Sequence, residues 1–261
     1  MAPRTPRATA RSSVTPARRA VELLSALEAM GSEPNRTGMA RYGINVETAF
    51  GVSVVELRKL ARQLGVDHRL ALALWATGKH EARLLACFVD DPAAVTERQA
   101  DAWARDFDSW DVCDQACTSL FDRTSFAWTK AMEWGASDEQ WVKRGGFALM
   151  AGLASHDRVA PDRAFAELLP VMARGAFDER NYVKKAVSWA MRSVGKRNPA
   201  LHAAAVACAA GVRADTAGTW RAPGSSRCCA SAVAPAPGCR QTAQTRATPR
   251  SATARPARPS C

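Results

Sequence analysis

A tryptophan and an aspartate four positions apart on a helix put an indole and a carboxylate on one face. The segment Phe107-Asp-Ser-Trp-Asp-Val-Cys-Asp-Gln115 has that spacing in Trp110 and Asp114. Such a pair suits a cationic substrate, because the ring face attracts positive charge and the carboxylate stabilises a developing oxocarbenium ion. The pair lies at the edge of an apolar stripe made by Val112, Cys113, Ala116, Cys117 and Leu120. Asp108 and Asp111 point away from it and read as solvated or capping residues. Taken alone the pattern is common and reads more readily as packing.

A second cluster lies in Asp178–Gly195, DERNYVKKAVSWAMRSVG. At ~100° per residue, Val183, Val187, Ala190 and Val194 form a narrow apolar stripe, and Trp189 falls about 135° from its centre. Tyr182, Lys185, Arg192 and Lys196 share the Trp189 arc. Two aromatic and three cationic side chains opposite a packing stripe fit a nucleic-acid face, with cations for phosphate and an aromatic for base or sugar. A Trp covered by a neighbouring repeat with cations around it is the alternative. The third segment, Gln140-Trp-Val-Lys-Arg-Gly-Gly-Phe147, places Arg144 before two glycines within a helical pattern. Each Gly costs ~1 kcal/mol relative to Ala there, so a close backbone approach by a helix or a phosphate is implied. Arg144 itself reads as a phosphate contact or as a structural ion pair. The four histidines (His68, His80, His156, His202) are scattered and read as surface or packing residues.

These segments sit in a chain of helices. Capping boxes begin at Ser53 (with Glu56), Thr96 (with Gln99) and Ser137 (with Gln140), and further starts are expected at Asp67, Thr124, Pro161-Asp162, Asp178 and Asn198-Pro199. The pattern predicts helices near 18–30, 36–42, 53–65, 67–77, 80–89, 96–107, 109–123, 124–134, 137–154, 161–174, 178–195 and 198–210. No stretch alternates with the period of two that a strand needs. Short connections between paired helices point to an all-α, HEAT-like helical-repeat superhelix over residues 19–212, with a non-repeating bundle as the alternative.

Charge does not decide the partner. The chain carries 36 Lys and Arg against 25 Asp and Glu, a net +11. Residues 1–20 contain five Arg and no acid, and 213–261 contain eight Arg and one Asp, which leaves 23 basic and 24 acidic residues between them. A DNA footprint must therefore be a local patch. Residues 1–18 read as a disordered basic arm and 213–261 as a disordered Arg/Ala/Pro-rich tail. That tail is either native or the product of a reading-frame shift near Thr219; the second is favoured because helical repeats need a capping last helix. Eight cysteines form no zinc-type spacing, and Cys87, Cys113, Cys117 and Cys208 fall in helical apolar sequence, so reduced buried thiols are expected. No apolar run approaches the ~18 residues of a membrane span.

Taken in order, MARYGI, FGVSVVELRKLAR, LWATGKHEAR, FDSWDVCDQ, EQWVKRGGF and RNYVKKAVSWAMRSVGKRNP resemble the AlkD-type DNA alkylation-repair family over roughly Met39 to Ala210. These are HEAT-like glycosylases specific for N3- and N7-alkylated purines. In that family a Trp and an Asp one turn later match Trp110 and Asp114, an Arg after a W-x-x pattern matches Arg144, and the Trp of K-A-x-x-W-x-x-R matches Trp189 with Arg192. The resemblance implies a monofunctional glycosylase that cradles alkylated double-stranded DNA without a deep base pocket and needs neither cofactor nor metal; a non-catalytic protein that binds damaged or branched DNA, or a HEAT scaffold for protein partners, is the alternative. Asp114, Trp110 and Trp189 would then be catalytic, and Arg144, Lys185, Arg192, Tyr182 and Lys196 DNA-binding. It further implies a monomer without membrane association, cytoplasmic and at the nucleoid.

Overall fold

The computed structural model describes residues 15–216; the expected arm before Thr15 and the tail beyond Thr216 lie outside the described residues. Within them the chain forms twelve α-helices, one 3-10 turn at Phe121–Arg123 and no strand. The helices pack as two layers. The inner layer holds α3 (Val54–Leu64), α5 (His80–Val89), α7 (Trp110–Ser119), α9 (Gln140–His156) and α11 (Asn181–Gly195), each beside the next. Behind it lie α1 (Pro16–Ala29), α4 (His68–Trp75), α6 (Glu97–Arg105), α8 (Ala127–Gly135), α10 (Asp162–Gly175) and α12 (Pro199–Thr216). The short α2 (Glu33–Arg41) leads into the loop before α3. This is the HEAT-like superhelix the sequence predicts.

Local chemistry sets the helix starts. Ser53 accepts from the Glu56 amide, Thr96 from Gln99, Asp67 from Leu70 and Asn198 from Leu201, each satisfying a donor the first turn leaves free. Three expected starts differ. Ser137 accepts from the Glu139 amide in a turn, and α9 begins only at Gln140. Thr124 donates back to the Phe121 carbonyl, and α8 begins at Ala127. Asp178 takes the Arg180 amide and guanidinium, which delays α11 to Asn181. In each case a side chain finds a turn partner nearer than the helix N-terminus. At the ends, α1 begins at Pro16, inside the expected arm, and α12 runs past Val212 to Thr216.

The central helix is α9, flanked by α7, α8 and α11, so it is buried on nearly every side from Arg144 to Ala154. Its glycines are explained by a helix, not a phosphate. A Cβ on Gly146 would collide with the backbone of Gly135 and lie 2.7 Å from its Cα, so α8 crosses α9 at backbone contact. The Asp111 carboxylate also departs from expectation. It is 8% exposed, accepts from Ser109 Oγ and pairs with His80 Nε2 at 2.9 Å, tying α5 to α7 just below Trp110. Cys87, Cys113 and Cys117 are buried free thiols, and Cys208 is half-buried. Among the described residues no helix is long and apolar enough to cross a membrane.

Candidate nucleic-acid interface and catalytic cleft

Three neighbouring inner helices carry the sequence-selected residues. From α7 come Trp110 and Asp114, from α9 Trp141 and Arg144, and from α11 Tyr182, Lys185, Trp189 and Arg192. The apolar stripes behave as their spacing requires: Val183, Val187, Ala190 and Val194 are buried against the core, as are Val112, Cys113, Ala116 and Cys117. The opposite faces are thereby left free of the core.

Asp114 and Arg144 meet across 30 residues of sequence. Arg144 Nε lies 3.0 Å from Oδ1 of Asp114 and Nη2 lies 2.8 Å from Oδ2, a two-pronged pair that only a guanidinium can make. The third prong, Nη1, donates to the Tyr182 main-chain carbonyl, so one side chain links α7, α9 and α11. Arg144 is 5% exposed. Its expected phosphate contact is thus replaced by an internal one, since every prong of the guanidinium is already engaged. Burial raises the Asp114 carboxyl above the ordinary aspartate range, against the pull of Arg144 and with help from the neighbouring Asp111 charge. Burial also works against the Arg144 charge, but Asp114 outweighs it and holds the guanidinium cationic. The Asp114 side chain keeps 15% exposure, so part of it stays accessible to solvent.

One end of this inner face is closed by a loop that sequence reading missed. Trp110 Nε1 donates to the carbonyl of Tyr42 at 3.1 Å, and Tyr182 Oη donates to the next carbonyl, Gly43, at 3.0 Å. Two consecutive peptide groups therefore tether α7 and α11. Tyr182, expected to face DNA, has its hydroxyl occupied and its ring 4.9 Å from that of Trp141. Gly43 has φ +72°, and a Cβ there would strike the Tyr182 hydroxyl, so any other residue is strained at this position. The loop is held from beneath by Glu81, whose buried carboxylate accepts the amides of Phe50, Gly51 and Val52. Tyr42 itself stands 77% exposed beside Trp110.

Along α11 the remaining residues keep their expected arc. Lys185, Arg192 and Lys196 are exposed, and none forms an ion pair among the described residues. Arg192 Nε rests on the Ser188 carbonyl. Trp189 is half-buried and lines a recess together with Gln115 and Thr118 of α7. Trp189 thus opens on a recess shared with α7, the helix that also carries Trp110 and Asp114. Among the described residues no group of three or more His, Cys, Asp or Glu is placed to hold a metal ion.

The Asp114–Arg144 pair, the indoles of Trp110 and Trp189 and the exposed cations of α11 are thus all carried by the inner layer. The family model described as DNA alkylation repair enzyme matches residues 23–218. The chain belongs to the DNA alkylation repair enzyme family. The match spans every inner-layer helix and all eight expected site residues. A solved structure described as "A new family of proteins related to the HEAT-like repeat DNA glycosylases with affinity for branched DNA structures" is similar at 23% identity. It covers 74% of this chain and 82% of its own, with a TM-score of 0.66, and so shows the HEAT-like fold. A comparison with curated proteins finds no match.

Proposed function

We propose that the protein binds alkylated double-stranded DNA along its inner layer as a monomer. There it hydrolyses the N-glycosidic bond of cationic N3- or N7-alkylated purines. The observation that carries this reading is the Asp114 carboxylate, held ionised and oriented by the Arg144 fork yet still partly accessible to solvent. Such a purine already bears a positive charge and leaves as a neutral base, so no acid is required to protonate it. The sugar instead becomes cationic, and a fixed carboxylate stabilises that charge while orienting a water for attack. Trp110 and Trp189 would bracket the nucleotide, and Lys185, Arg192 and Lys196 would hold phosphates. Arg144 becomes a positioning residue, because its donors are spent on Asp114 and Tyr182. Acting on chromosomal DNA, it would lie in the cytoplasm at the nucleoid.

A second reading has a specific observation behind it. The same fork neutralises Asp114, which suits a protein that binds distorted DNA without cleaving it, and the similar solved structure is described as having affinity for branched DNA. Methylated duplex and its undamaged counterpart separate the readings. Release of free 7-methylguanine, with no uracil released from a uracil-containing duplex, supports the glycosylase. Binding that weakens steeply with salt but releases no base supports the second reading. Absence of DNA binding overturns both.

A further inference from the structure

Residues 32–51 form a loop with a closed neck. There the Ser32 amide donates to the Phe50 carbonyl at 2.9 Å, and the Asn35 side-chain amide donates to the Gly51 carbonyl at 3.0 Å. Glu81 fixes the same point from beneath through the amides of Phe50, Gly51 and Val52. Beyond the neck the loop has no core of its own, because no residue from Glu33 to Thr48 is buried. A segment with so little buried surface opens more readily than the helices below it. Its far end is latched by Trp110 Nε1 on the Tyr42 carbonyl and by the Tyr182 hydroxyl on that of Gly43. Two further bonds reach the body, from Asn45 to Asp108 and from the His80 amide to the Thr48 carbonyl, each at 3.4 Å.

The two latches belong to a ring. Tyr182 holds the loop with its hydroxyl and takes Arg144 Nη1 on its carbonyl. Arg144 forks onto Asp114, Asp114 lies one turn from Trp110 on α7, and Trp110 returns to the loop at Tyr42. The helices in this ring, α7, α9 and α11, are packed on one another, so the loop is the link at which the ring opens. We propose that the loop is a strap whose closure sets the orientation of the Asp114 carboxylate, with Tyr182 as the positioning residue that transmits it through Arg144. This rests on the reading of Asp114 as the acting carboxylate. With the strap closed, the first turn of α11 is fixed and the third prong of Arg144 has a fixed acceptor. With the strap open, that turn is freed, and the fork on Asp114 loosens with it. Tyr182 thus serves excision without its hydroxyl touching DNA.

The test uses the full chain and two variants that cut the strap at opposite ends, Tyr182→Phe at the latch and Asn35→Ala at the neck. In both, amide exchange read by mass spectrometry rises about three- to tenfold across residues 36–48, the scale of one lost hydrogen bond, and stays unchanged in α3. The Arg144 Nε–H resonance of nitrogen-15-labelled protein exchanges with solvent faster by a similar factor. Single-turnover release of 7-methylguanine falls in parallel, while affinity for the methylated duplex stays within about threefold of the wild type, because no contact with DNA is removed. Exchange across 36–48 that matches the wild type in both variants overturns the latch. Faster exchange there with an unchanged Arg144 resonance overturns its coupling to the carboxylate. A wild type that releases no base overturns the excision reading, and the exchange and the resonance then still decide the strap.

Discussion

Arg144 grips Asp114 through two prongs at 3.0 and 2.8 Å while its third prong rests on the carbonyl of Tyr182. The pair is mostly buried, with side-chain exposures of 7% and 15%. A buried charge stripped of its partner costs ~3–5 kcal/mol, so the carboxylate owes its ionised state in this position to the guanidinium.

Loss of charge at Asp114 separates catalysis from binding. Asp114→Asn keeps the shape of the side chain, and duplex affinity should stay within about threefold while 7-methylguanine release falls by about 10²–10³. Arg144→Lys keeps a positive charge but cannot make the fork, and release should fall comparably. The double variant should be no slower than the worse single one, because both remove the same unit. Additive losses in single-turnover release would show that the two residues act separately.

The acid limb of the pH–rate profile follows from the same pair. Excision by an ionised Asp114 is present at neutral pH and lost as pH falls through the carboxyl's raised value, so the limb lies above that of an ordinary aspartate. Because Arg144 pulls that value down, Arg144→Gln should move the limb to still higher pH. A limb that stays in place in Arg144→Gln would remove Asp114 from the rate-limiting ionisation.

Beneath Trp110 the His80–Asp111 pair has its own pH signature. Burial opposes the His80 charge, yet Asp111 prevails and raises the imidazole above its usual 6.5. A raised histidine contributes stability that is fully present below about 6.5 and fades as pH rises through the folded value. His80→Gln should therefore lower the melting temperature most on the acid side, at a cost of about 3 kcal/mol there, with the deficit shrinking as pH rises. Thermal melts between pH 5.5 and 9 check this, and a deficit that grows with pH would contradict it.

Gly43 gives a test of the loop closure. Gly43→Ala imposes a positive φ on an L-residue and drives a methyl group into the Tyr182 hydroxyl. It should destabilise the protein by ~1–2 kcal/mol and loosen the tether to α11. Adding Tyr182→Phe removes the obstructing hydroxyl and should recover part of the loss. If the double variant is less stable than the single, the contact is not the cause.

On the exposed arc of α11, Lys185→Ala and Arg192→Ala should each weaken duplex binding irrespective of sequence and reduce the slope of log K against log salt by about one. Unchanged slopes with intact fold would place the DNA elsewhere.

The sequence by itself determined the helices, most of their starts and which face each one buries. Those follow from local hydrogen bonding and the 3.6-residue period, which is why the Val183–Val194 stripe and the outward Trp189, Lys185 and Arg192 could be read from one segment. It also put Trp110 and Asp114 on a single face. Only the tertiary structure decided what those faces meet. Asp114 finds Arg144 30 residues away, Asp111 finds His80 31 residues away, and Tyr182 reaches Gly43 across 139 residues. Helical periodicity fixes the direction of a side chain about its own axis but carries no information on which neighbour will stand there. The ion pair that claims Arg144, the loop that occupies Tyr182 and the recess beside Trp189 all arise from how the helices stack.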